Sequence, residues 1–346
     1  MVFRIKYQFP GSRHQIKTCS WWPMSVLLMI GLLSFLSCAE KIEIPDEDIS
    51  DLSSMQILLK KPNLKVLDIG NSYSDGALAL LPTVANNCKV DVKDMCLYKF
   101  IRSGASFYSW CQVYDNQDTY NYSFYRAIGD LSVNIPTGSS PGDDGNLFRR
   151  VLSDVEWDLI IIHQYSPYAP YYDLWGSDGE GGCLDKLLSI IKKHQPNATI
   201  GFLIVHSYWD NYGGNKEKSS FERWQKIANS VQRLMQDYDI QFIIPYGTAV
   251  ENLRSSSLNN GFDLTRDGTH LGYGLGEYTA ACCYYESLLY PRTGVSCYMS
   301  PANIDVSGKE SKYPAVNVKK SNAFIAQKAA ILAIEDMFHC NNPEYN

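Results

Sequence analysis

Histidine is scarce in this sequence: six in 346 residues, one of them, His14, in the N-terminal segment. So few imidazoles leave little material for a metal centre. No His-Glu-x-x-His, no EF-hand loop and no Cys/His cluster with zinc spacing is present. A surplus of positive charge is also missing. The 31 Lys and Arg are outnumbered by 37 Asp and Glu, a net of −6, which argues against a protein that tracks nucleic-acid phosphates. No apolar run reaches about 18 residues, which excludes a polytopic membrane protein. Internal repeats and low-complexity tracts are lacking too. With 45% apolar and 20% charged residues, the composition is that of a folded chain.

Acidic residues are absent from positions 1–37, which carry Arg4, Lys6, Arg13 and Lys17 and end in the apolar stretch Met24 to Ser37. A basic region followed by a hydrophobic stretch too short to span a bilayer comfortably reads as a secretory signal. Phe35-Leu36-Ser37-Cys38 resembles a loose bacterial lipobox, with Cys38 as the lipidated first residue of the mature protein. An ordinary cleaved signal and a retained anchor are the alternatives. Glu40, Glu43, Asp46, Glu47 and Asp48 follow, so residues 38–58 read as an acidic, solvated tether to a domain over residues 59–346. Loss of residues 1–37 leaves 27 basic side chains against 37 acidic, a net of −10. The expected location is an exported lipoprotein, periplasmic or at the cell surface. Export permits disulfides among Cys88, Cys96, Cys111, Cys183, Cys282, Cys283, Cys297 and Cys340. Their spacing sets no connectivity, and buried thiols with one or two bridges are expected.

Beyond the tether, strand and helix patterns alternate. Residues 63–69, 89–97, 157–163, 198–206 and 240–246 read as strands, and 157–163 (WDLIIIH) is apolar enough to be central. Residues 76–85, 147–155, 184–193, 219–237, 275–289 and 321–338 carry helical spacing. This order predicts one α/β domain whose parallel sheet is covered on both faces. Residues 107–146, rich in Tyr, Asn, Gly and Ser, read as a long polar insertion. In such sheets chemistry gathers at the carboxyl ends of the strands.

Two motifs fall at those ends. Gly70-Asn71-Ser72 directly follows the first strand, where a serine hydroxyl would sit at the start of a helix. It is not a Gly-x-Ser-x-Gly elbow, because residue 74 is Ser. Asp267-Gly268-Thr269-His270 precedes the helix at 275. A carboxylate three residues before an imidazole can hold one ring nitrogen and leave the other as a base. Alone, each motif also fits a plain capped turn. Gly272-x-Gly274-x-Gly276 follows a histidine and not a strand, so it is no dinucleotide fingerprint.

Together, an early strand-end Gly-Asn-Ser and a late Asp-x-x-His on an α/β chain resemble the SGNH (GDSL-like) hydrolase superfamily, over roughly residues 62–290. The resemblance is to a branch of exported bacterial proteins with Gly-Asn-Ser in the nucleophile block. It implies a three-layer α/β/α domain with a parallel, flavodoxin-like five-stranded sheet. It also implies a triad of Ser72, Asp267 and His270, with no cofactor and no metal. The implied oxyanion hole comprises the backbone N–H groups of Ser72 and Gly104 and the amide of Gln164. Here the chain has His163-Gln164 where the family usually carries a Gly-x-Asn-Asp asparagine, and His163 is the alternative donor.

Tyrosine is abundant, 24 against 13 Phe and 7 Trp. Tyr165 to Tyr172 with Trp175, and His206 to Asp210, follow the third and fourth strands, and their aromatic faces suit sugar rings. His163, Tyr165, Tyr168, His206 and Trp209 are therefore candidate substrate contacts, although half of these aromatics read equally as core or loop packing and His206 reads more readily as a satisfied strand-end histidine; Gly213-Gly214 is a hinge or an ordinary turn. The expected activity is a serine esterase acting on O-acetyl groups of carbohydrate. The expected partners are a glycan or other ester and, through Cys38, a membrane. A non-catalytic glycan-binding lipoprotein and a lipid or aryl acyl hydrolase are the competing readings.

Overall fold

The computed structural model describes residues 53–115, 121–140, 147–214, 216–259 and 264–345. The signal segment, Cys38 and the tether up to residue 52 lie outside them. The last tether residues are helical: Ser53 caps α1 (Ser54–Leu59) in a reciprocal capping box with Gln56, and Leu59 is buried.

Short apolar runs ended by polar turns form the strands. β1 (Leu64–Gly70) leads into α2 (Ser72–Leu78) and α3 (Leu81–Cys88), and β2 (Met95–Arg102) leads into α4 (Phe107–Tyr114). β3 (Tyr122–Gly129), β4 (Gly138–Ser140) and α5 (Leu147–Ser153) precede β5 (Leu159–Ile162). Then come α6 (Leu184–His194), β6 (Thr199–Leu203), α7 (Ser220–Asp237), β7 (Phe242–Ile244) and α8 (Tyr246–Arg254). α9 (Leu275–Leu288), α10 (Tyr290–Thr293) and α11 (Lys320–Glu335) complete the chain.

One sheet of seven strands runs in the order β4-β3-β2-β1-β5-β6-β7, which corrects the expected five. β2, β1, β5, β6 and β7 are parallel, while β3 and β4 extend the β2 edge antiparallel. The two extra strands lie in the supposed polar insertion. Tyr122, Phe124 and Ile128 are buried there, while Ser123, Tyr125 and Arg126 are not. That half-buried alternation, rich in Tyr and Ser, resembles loop composition. The second strand also starts later than its apolar pattern indicated, because residues 90–94 make an approach turn.

All four residues of β5 are buried, which requires cover on both faces. α9 is buried along its whole length and touches α2, α3, α8, α10 and α11, while α4, α5 and α6 pack on one another. Among the described residues the eight cysteines are free thiols. No helix among these residues is long and apolar enough to cross a membrane.

Candidate active site

Ser72 is the first residue of α2, and Asn71 is its cap: the Asn71 side-chain oxygen accepts from the Tyr73 N–H at 2.9 Å. The other end of that amide donates to the Ala105 carbonyl at 2.9 Å, pinning the nucleophile turn to the loop after β2. Gly104 lies in that loop at φ +65°, a left-handed conformation that favours glycine. A Cβ on Gly104 would lie 3.6 Å from the Tyr165 hydroxyl, so this turn faces the loop after β5.

Asp267 and His270 sit in a loop closed by an antiparallel bridge between Thr265 and Leu271 and by the Arg266 N–H donating to the His270 carbonyl at 2.9 Å. Gly268 adopts φ +96°, and its carbonyl accepts from the Trp209 N–H at 2.9 Å. One Asp267 oxygen accepts from the backbone N–H groups of Thr269 and His270 and from the Thr269 hydroxyl, at 2.9, 2.8 and 2.9 Å. The other accepts from His270 Nδ1 at 2.6 Å. Partial burial alone would raise the Asp267 carboxyl. These backbone N–H groups and the imidazole instead hold it well below the ordinary carboxylate range. An ionised Asp267 places the imidazole proton on Nδ1, which leaves Nε2 free to accept. The Ser72 hydroxyl donates to Nε2 at 2.9 Å. Ser72 and the His270 ring are both partly exposed.

The two other candidate histidines lie beneath the site and not on its rim, which takes His163 out of the candidate substrate contacts and fits His206 to its reading as a satisfied strand-end histidine. His163 is buried; its Nδ1–H donates to the Gln164 carbonyl at 3.0 Å, and Nε2 accepts from the Asn71 N–H at 3.3 Å. Burial lowers it to about 4, so it stays neutral and serves as a pillar under the Ser72 turn. A Cβ on Gly70 would approach His163 Nε2 to 2.4 Å, and only glycine allows the strand that close. His206 is likewise buried, with Nε2–H donating to the Thr269 carbonyl at 2.7 Å. Burial holds its imidazole well below the usual range.

Gln164 is also committed inward. Its amide donates to the Gly181 carbonyl at 2.8 Å and accepts from the Tyr165 and Phe107 N–H groups at 2.8 and 3.4 Å. The expectation that Gln164 donates to substrate gives way to a bracing role, in which it ties together the loops that flank Gly104 and Tyr165.

The aromatic rim is smaller than the sequence suggested. Trp175 and Tyr208 are buried, and Tyr171 and Tyr172 donate to Glu217 and Asp237. A buried Arg223 donates to Glu217 and to the Ser166 carbonyl, each at 2.6 Å, and covers the Tyr208 ring at 3.9 Å. That arrangement welds the loops after β5 and β6 together. Tyr165, Tyr168 and Trp209 remain partly exposed, with the Tyr168 hydroxyl on Glu180 at 3.0 Å. Tyr313 joins them from the C-terminal segment, edge-on to Trp209 at 4.5 Å, its N–H donating to the Arg266 carbonyl. No motif marks Tyr313, because only the backbone pairing of its segment with the triad loop brings it there. Among the described residues no cluster of three or more His, Cys, Asp or Glu is placed to hold a metal.

An α/β domain presenting a hydrogen-bonded Ser-His-Asp chain at its strand ends is the class that fold and site define. The chain itself belongs to the DUF4886 family, a domain of unknown function, whose profile matches residues 65–324. A DUF4886 family protein from Bacteroides uniformis is 24% identical and superposes with a TM-score of 0.63, covering 81% of this chain and 98% of its own. That likeness shows a shared fold. A protein described as a GDSL-like lipase from Parabacteroides merdae is 12% identical with a TM-score of 0.40, over 66% of this chain and 96% of its own. A gut microbial diltiazem-metabolizing enzyme is 12% identical at 0.38, over 66% and 47%. Scores this low carry no chemistry across. No curated protein matches the chain.

Proposed function

We propose that this protein is a serine esterase of SGNH type that removes O-acetyl groups from carbohydrate. The observation that carries the reading is the unbroken chain from Ser72 through His270 to Asp267, with links of 2.9 and 2.6 Å. His270 Nε2 takes the Ser72 proton as the hydroxyl attacks the ester carbonyl, then returns it to the leaving alcohol. Asp267 steadies the imidazolium formed between these steps. Water then attacks the acyl-serine with His270 as base, releasing the acid and restoring Ser72. The N–H groups of Ser72 and Gly104 receive the oxyanion. A donor of that kind is typically worth about 3–4 kcal/mol of barrier.

Carbohydrate is favoured by the character of the remaining rim. Tyr165, Tyr168, Trp209 and Tyr313 offer ring faces with polar tips, as a sugar needs, and not the apolar wall that a long acyl chain would require. The protein acts outside the cytoplasm in this reading, tethered through Cys38. Release of p-nitrophenol from acetate and octanoate esters by wild type and Ser72→Ala tests the chemistry. The expected result is a wild-type rate at least 1000-fold above the variant, with acetate preferred. Equal rates in the two proteins would sink the enzyme reading, and a preference for octanoate would move the substrate to lipid.

A further inference from the structure

Resting on that esterase reading, we infer that His206 is a positioning residue that sets the distance between nucleophile and base. His206 touches the residue after Ser72 and the residue before His270. Its ring stacks on Tyr73 with centroids 4.2 Å apart and planes 17° apart. Its Nε2–H donates to the Thr269 carbonyl at 2.7 Å. The two halves of the triad come from chain segments almost 200 residues apart, and one buried imidazole bridges them.

The bridge stands on a rigid base. His206 Nδ1 accepts from the Tyr246 hydroxyl at 3.4 Å. The next residue is clamped by Arg254, which donates to the Ser207 hydroxyl and, at 3.1 Å, to its carbonyl, while its charge is balanced by Glu251 at 3.0 Å. Gly247 lets α8 come close beneath: a Cβ there would lie 2.2 Å from the Val205 carbonyl oxygen. A neutral ring carries one proton. With that proton on Nε2 and Nδ1 as acceptor, both of its polar contacts are satisfied at once. The Tyr73 ring also lies 5.8 Å from the His270 ring, so a tilt of Tyr73 would carry straight to the base.

Two substitutions separate the stack from the tether. His206→Phe keeps an aromatic ring on Tyr73 and removes the N–H. His206→Gln removes the ring and keeps a donor at the reach of Nε2. With p-nitrophenyl acetate, His206→Phe is expected to lower kcat by roughly 10–100-fold with KM within about twofold, and His206→Gln to recover most of that loss. Wild-type kcat in His206→Phe would overturn the proposal, as would equal losses in both variants. A readout free of activity covers a variant that fails to fold. Nitrogen-15 NMR of the wild type at pH 7 should show His206 neutral with its proton on Nε2, and a proton on Nδ1 would overturn the tether. If the wild type were inert toward esters while the tautomer held, the esterase reading would fall and the bridge would stand as structure alone.

Discussion

Asp68 is a fully buried carboxyl in β1, with one oxygen accepting from the Tyr284 hydroxyl at 2.8 Å and the other without a hydrogen-bond partner among the described residues. Burial is the main cause that raises it from 3.8 to about 6, against the Tyr284 hydrogen bond, which lowers it. The native state therefore holds a proton that the unfolded chain releases between pH 4 and 6. Wild type loses stability as pH rises through that window, relative to a residue that does not titrate. Asp68→Asn is expected to gain on wild type by about 2 kcal/mol between pH 4 and pH 7. Urea unfolding of both proteins at the two pH values measures it; any packing difference is a constant offset, and a pH-independent offset alone would contradict the account. At this scale Ser72, Asp267 and His270 were legible because each sits in a short motif whose local geometry is set within four residues. His163, Gln164 and His206 were legible as strand-end residues. The inward orientation of His163 and Gln164 was not, since it depends on partners from other segments, Asn71 and Gly181, whereas His206 reads as a satisfied strand-end histidine and Thr269 is its partner.

Elements were legible where burial is one-sided or total. β5 reads as an apolar run and α7 as an amphipathic helix, and both fall within two residues of expectation. α8 carries no helical signal because its sequence, YGTAVENLR, is polar, yet all nine residues are buried and its charges are paired inside. β3 does not stand out in the sequence because its tyrosines and serines imitate a loop. Helix ends offer a clean test of this level. α3 stops at Lys89, an exposed residue in the left-handed region at φ 56°, ψ 35°. That conformation costs a side-chain-bearing residue about 1 kcal/mol and costs glycine almost nothing. Lys89→Gly should raise the melting temperature by roughly 2–3 °C in calorimetry, and a lower value would contradict the cap assignment.

For the molecule as a whole, the parallel strands aim Ser72 and the Asp267–His270 loop at one edge of the sheet, and the C-terminal segment returns to wall that edge. Val316 pairs with Gly274, and the Tyr313 N–H holds the Arg266 carbonyl at 3.0 Å, so residues without a motif become part of the site. The tyrosine excess disperses accordingly, most rings packing or bracing and a few facing outward. Histidine, scarce in the sequence, is concentrated here: three of the six lie in or under the candidate centre. The proposed lipid anchor at Cys38 is tested by Cys38→Ala, which should move the protein from the membrane fraction to the soluble one in cells of its source; unchanged fractionation would contradict lipid anchoring. The most direct measurement concerns the nucleophile. Wild type treated with a fluorophosphonate should gain one phosphonyl group by intact mass, mapped by peptide sequencing to Ser72, and Asp267→Asn should react at least tenfold more slowly. An unmodified wild type, or a label on any other serine, would contradict the account.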